Sequence, residues 1–92
     1  MIVYRIGKFY PGEKSARPIG GAWPHFRPIG LAVLKLKELA YQAQLSEITQ
    51  FGHSEIDPKQ AMRDREFRHR DTIYRIYKVK TDGRFYSSML NQ

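Results

Sequence analysis

Residues 63–84 read RDREFRHRDTIYRIYKVKTDGR, and their reading decides the fold. From residue 70 to residue 80 apolar side chains alternate with charged ones, the period of a half-buried strand. Ile73, Ile76 and Val79 supply its core side, so only part of the segment is free to meet a partner. Asp82-Gly83, flanked by Thr81 and Arg84, is a two-residue hairpin signal. The returning strand is then Phe85 to Met89, with Val79 opposite Tyr86 and Ile76 opposite Met89.

Working back from there, Asp57-Pro58 followed by Gln60 starts a helix: Asp caps, Pro suits the first helical position, and Gln completes a capping box. This short helix runs from Pro58 to about Phe67, with Ala61, Met62 and Phe67 to pack. Arg63 to Arg70 therefore lie on the helix and its exit, exposed for binding. The main helix is Leu31 to about Gln44, where Ala32, Leu36, Leu39, Ala40 and Ala43 form one apolar stripe, widened by Leu34 and Tyr41. Over 45–54, Leu45, Ile48 and Phe51 suit a continued helix, and Glu47 to Phe51 equally suits a short strand. The reading adopted is helix through Ser46, then an extended segment ended by Gly52.

Met1 to Tyr10 reads as a strand, stopped by Pro11-Gly12. Its Tyr4-Arg5-Ile6-x-Lys8 repeats as Tyr74-Arg75-Ile76-x-Lys78, as two strands sharing a sheet would. Residues 11–30 form a long loop holding four of the five prolines. In it Arg17-Pro18-Ile19-Gly20 recurs as Arg27-Pro28-Ile29-Gly30, around Trp23, His25 and Phe26. The expected fold is one α+β domain over residues 1–92, with order β-α-α-β-β: a three-stranded antiparallel sheet with one main helix on one face and a short second helix.

The chain has 92 residues, a net charge of +7 and no cysteine. Disulfides, thiolate zinc sites and thiol catalysis are excluded together. Residues 1–34 carry +4, residues 35–58 carry −2 and residues 59–92 carry +5. Two basic ends brought together make a field that attracts polyanions. No apolar run approaches a membrane span, and MIVYRIGKF is no signal peptide, so a cytoplasmic location is expected, with no membrane partner.

His25, His53 and His69 lack ligand spacing, and Gly12-Glu13-Lys14-Ser15 lacks the glycine that a phosphate loop needs before its lysine. No metal, cofactor or small-molecule substrate is expected. Arginines neutralise phosphates and interleaved Tyr and Phe stack on bases, so RNA or an RNA-protein complex is the expected partner. Contact is expected from Arg63, Arg65, Arg68, Arg70, Arg75, Lys78 and Lys80, with Arg17, Arg27 and Trp23 as a second, loop contact.

In size, pI and the stretch Tyr74-Arg75-Ile76-Tyr77 the chain resembles RelE-type toxins. That resemblance implies a metal-independent ribonuclease dependent on His69 or Tyr74, although a proline-glycine loop stands where those proteins carry a helical hairpin. Across its whole length, the short, basic, cysteine-free profile resembles the small inhibitors that phages encode, anti-CRISPR proteins among them. That resemblance implies a non-enzymatic inhibitor of a host nucleoprotein machine. The expectation taken forward is the binding protein. The alternatives are the ribonuclease and a generic RNA-binding accessory domain.

Overall fold

The computed structural model of the chain describes residues 2–12 and 25–80. In order the elements are β1 (Ile2–Phe9), α1 (Ile29–Phe51), α2 (Pro58–Asp64), β2 (Glu66–His69) and β3 (Thr72–Lys80). The strands form one antiparallel sheet in the order β1-β3-β2. The α+β architecture is the expected one, with the long helix on one face of a three-stranded sheet. The chain supplies the third strand from a different place, however.

β1 and β3 pair over their lengths with Ile6 opposite Ile76. The repeated Tyr-Arg-Ile-x-Lys pattern is thereby explained. Around that central pair Tyr4 meets Lys78 and Lys8 meets Tyr74, a local two-fold relation. Strand alternation sends Ile6, Tyr74, Ile76 and Phe67 toward α1. There they meet Leu36, Ala40 and Ala43 of α1, Ile56 of the connection and Ala61 of α2. Alanines on the buried side of α1 let the helix lie close to the sheet. Val3, on the other side of the sheet, is also fully buried. Outside the strands, Tyr4 and Phe26 exchange backbone hydrogen bonds of 2.7 and 2.8 Å, which extends the sheet beyond β1 by a single bridge.

α1 is longer than expected at both ends. It begins at Ile29, with Pro28 extended before it, and runs through the ambiguous stretch to Phe51. Gly52 then stops it at φ 80°, donating its N–H to the Ile48 carbonyl at 2.8 Å. The segment after Ser46 is thus helical and not extended. Leu34 and Tyr41 do not widen the core stripe. They lie more than half exposed on the opposite side of the helix.

A polar latch holds the α1–α2 connection. Gln44 Nε2 donates to the Ile56 carbonyl (2.9 Å), the Ile56 N–H to Ser54 Oγ (3.1 Å), and Ser54 Oγ to Glu47 Oε1 (2.6 Å). Asp57 caps α2 as expected, accepting from the Lys59 N–H at 2.9 Å, with Pro58 at the first helical position.

α2 stops at Asp64, three residues short of the expected end. Arg65 takes a left-handed conformation (φ 58°) and Glu66 begins β2. The reason is Phe67, which is buried and stacks on Tyr74 with ring centroids 4.8 Å apart and planes 7° from parallel. As the last residue of a helix it would not reach that partner. The observed hairpin turn is therefore Arg70-Asp71, between His69 and Thr72, and Arg70 again has positive φ (57°). The Asp82-Gly83 turn and the strand 85–89 lie outside the described residues.

Gly52→Ala tests how α1 ends. A Cβ there meets nothing within 4 Å, so the cost is conformational alone. The expected loss is about 1 kcal/mol, read as a fall in melting temperature of roughly 4–8 °C by circular dichroism.

Candidate nucleic-acid interface

Among the described residues the net positive charge is concentrated on the sheet. β1, β2 and β3 together carry six Lys and Arg against one Glu, whereas α1 carries two of each sign. Alternation then divides the six. Lys8, Lys78 and Lys80 share the parity of the helix-facing residues, and Arg5, Arg68 and Arg75 share the other.

The face turned away from α1 carries these arginines among Phe9, Ile73 and Tyr77. Phe9 and Tyr77 meet edge to face with centroids 6.0 Å apart. The Arg75 guanidinium lies 5.3 Å above the Phe9 ring. Across the ladder it also grips Glu66, with Nε to Oε1 at 3.3 Å and Nη2 to Oε2 at 3.1 Å. Both side chains of this pair are more than 40% exposed, so it orients Arg75 and adds at most about 1 kcal/mol. Arg5, diagonal to Arg75, donates its Nε to His25 Nε2.

The expected contact residues do not form one stripe. Arg63 is on the last turn of α2, its side chain 74% exposed and 3.8 Å from Asp64. Arg65 caps α2, and its carbonyl accepts from the Ile76 N–H at 3.1 Å. Arg68 lies on β2 and not on a helix exit, with Nε donating to the Arg70 carbonyl at 2.9 Å. Arg70 is at the hairpin turn, donating to Gln50 Oε1, with its guanidinium 6.0 Å from the Phe51 ring. Lys78 and Lys80 are exposed but on the other parity from Arg75. Arg27 is exposed just before α1, and Arg17 and Trp23 lie outside the described residues. Arg5, Phe9 and Tyr77 were not among the expected contacts. Their signal was the repeated strand pattern, which in antiparallel pairing puts Arg5 and Arg75 on one face.

A cleft of about 650 Å³ between the end of α1, α2 and β2 is not the basic site. Glu47, Glu55, Asp57 and Glu66 line it against Arg68 and Arg70. His69 Nε2 is buried on the inner side of β2, 3.7 Å from Glu47 Oε2, with no hydrogen-bond partner. Tyr74 is committed to packing, between Phe67 and the Lys8 ammonium 5.9 Å from its ring. Among the described residues no three His, Cys, Asp or Glu side chains gather to hold a metal, and no helix is long and apolar enough to cross a membrane.

No protein-family model, curated protein or solved structure matches the chain.

Glu66→Gln checks that the Arg75 pair orients and does not stabilise. Unfolding free energy from urea titration is expected to change by less than about 1 kcal/mol.

Proposed function

We propose that this domain acts by binding, that its ligand is RNA or an RNA-protein assembly, and that the sheet face turned away from α1 makes the contact. The observation that carries this reading is the placement of Arg5, Arg68 and Arg75 on one sheet face together with Phe9 and Tyr77. Guanidinium groups pair with phosphate oxygens, and exposed bases stack on aromatic rings and on arginine planes. A sheet face presents both at the spacing of successive strands, without a groove-reading helix. Such a surface tracks a single strand or a nucleoprotein surface, with no base-edge code. The most concrete target is a host nucleoprotein machine, such as a CRISPR surveillance complex, with the protein as a phage-type inhibitor.

A second reading is a ribonuclease, favoured by His69 and Glu47. An imidazole and a carboxylate 3.7 Å apart on the inner side of β2 are the acid–base pair that a metal-independent ribonuclease needs. One removes the 2′-hydroxyl proton and the other protonates the leaving 5′-oxygen.

Fluorescence anisotropy with labelled single-stranded RNA, or with a purified RNA-protein complex, decides between them. For binding, affinity is expected to fall with salt, with a log–log slope of about −2 for three neutralised phosphates. Arg68→Glu is expected to weaken binding roughly tenfold or more, while Lys59→Glu on α2 changes it less than about twofold. Salt-independent affinity, or equal effects of the two substitutions, removes the sheet as the contact. RNA cleavage by the purified protein, lost in His69→Ala, replaces the binding reading with the enzymatic one.

A further inference from the structure

α1 has two apolar faces. Ala32, Leu36, Ala40 and Ala43 are buried against the rest of the domain. On the opposite side Leu31, Leu34, Tyr41, Leu45 and Ile48 are each between 44% and 57% exposed. Their spacing, with Glu38 included, is three, four, three, four, three, the a and d positions of a heptad. An ordinary surface helix carries charge there.

We propose that this stripe is a dimer interface, occupied by α1 of a second copy of this chain in antiparallel orientation. The stripe is self-complementary in only one of the two directions. A two-fold axis between residues 39 and 40 sets Leu31 against Ile48 of the second copy, Leu34 against Leu45, and Glu38 against Tyr41. The one charged residue in the seam thus meets the one hydroxyl, which donates to its carboxylate. Parallel pairing stacks Glu38 on its own copy, leaving two carboxylates facing each other in a desolvated seam.

The flanks agree. Lys35 and Lys37 lie beside the N-terminal half of the seam, and Gln42 and Gln44 beside the C-terminal half. Antiparallel pairing sets each lysine against a glutamine, so no like charges meet. Lys35 also neutralises Glu38 from within the same helix, at 3.3 Å.

The area suffices. Half of five large side chains is roughly 500 Å² per copy, hence about 1,000 Å² for the pair, the size at which specific interfaces begin. The sheet lies on the far side of α1 from this seam, so both RNA-facing surfaces stay open in the dimer. The proposal does not rest on RNA binding.

The chain has no cysteine, which makes cross-linking clean. In the antiparallel dimer two copies of Leu34→Cys hold their thiols about 16 Å apart along the seam, beyond disulfide reach of roughly 7 Å between Cα atoms. The expected results are a dimer by sedimentation equilibrium at about 100 μM, no cross-link on mild oxidation of Leu34→Cys or Leu45→Cys alone, and a cross-link when the two are mixed. Leu34→Glu is expected to give a monomer with an unchanged helical circular dichroism spectrum. A monomeric unmodified protein overturns the proposal, including one that instead binds lipid vesicles through this stripe. Self-cross-linking of Leu34→Cys alone overturns the antiparallel seam. If Leu34→Glu unfolds the chain, the cysteine pair decides.

Discussion

Everything in this domain hangs on the contact between the alanine side of α1 and the Ile6–Ile76 pair. β1 and β3 lie at opposite ends of the described residues, so pairing them carries the entropy cost of closing a long loop. That entropy is offset chiefly by apolar burial, at about 1.5–3 kcal/mol for each large aliphatic side chain. Few such side chains are available among the described residues, where Ile6, Leu36 and Val3 are the large ones fully buried. Ala32, Ala40 and Ala43 contribute by being small, because they let backbone and sheet approach closely enough for Leu36 to fill the gap. The Gln44–Ile56–Ser54–Glu47 latch and the Phe67–Tyr74 stack then fasten α2 and β2 to a frame already set by that contact.

The same ladder dictates where charge can act. A strand has two faces, and once Ile76 is committed to the core, Arg75 and Tyr77 must point away from it while Lys78 cannot join them. In the run that looks in one dimension like a single basic stripe, the pleat sends Arg68 and Arg75 to one face and Lys78 and Lys80 to the other. What unites arginines is pairing between distant strands. Arg5 and Arg75 share a face because Ile6 and Ile76 share a rung.

Much of this was legible in the sequence. β1, β3 and the Asp57-Pro58 start of α2 follow from local signals with direct physical causes, and so does the joining of β1 to β3, from their shared pattern. β2 was not legible. Glu66-Phe67-Arg68-His69 is too short to show alternation convincingly, and it follows a good helix start with no breaker between. Its two punctuating residues, Arg65 and Arg70, adopt positive φ without being Gly or Asn. Such a conformation costs about 1 kcal/mol and is held by context. For Arg70 the context is its own carbonyl bonded to Arg68 and its guanidinium bonded to Gln50, and neither contact shows in the local sequence. The candidate interface was partly legible for the same reason: residue type marks a cation, and only register says which face it joins.

Leu34 and Tyr41 show a different limit. Helical periodicity finds apolar stripes but does not say how many cores a helix serves. When apolar residues lie on two opposite sides, a single-core reading merges them into one broad stripe, with Leu34 and Tyr41 as its edges. Exposure separates the two. A domain of this size buries only about 60% of the surface of its unfolded chain, so its stability margin is narrow. Leaving five large apolar side chains in water adds nothing to that margin, whereas covering them with a second copy adds a core without lengthening the chain. The heptad spacing of the outer stripe and the alanine spacing of the inner one are therefore two solutions written on one helix: close packing against a sheet on one side, and knobs into holes against another helix on the other. Each constrains the residues that the other leaves free, which is why only four of the 23 residues of α1 are charged.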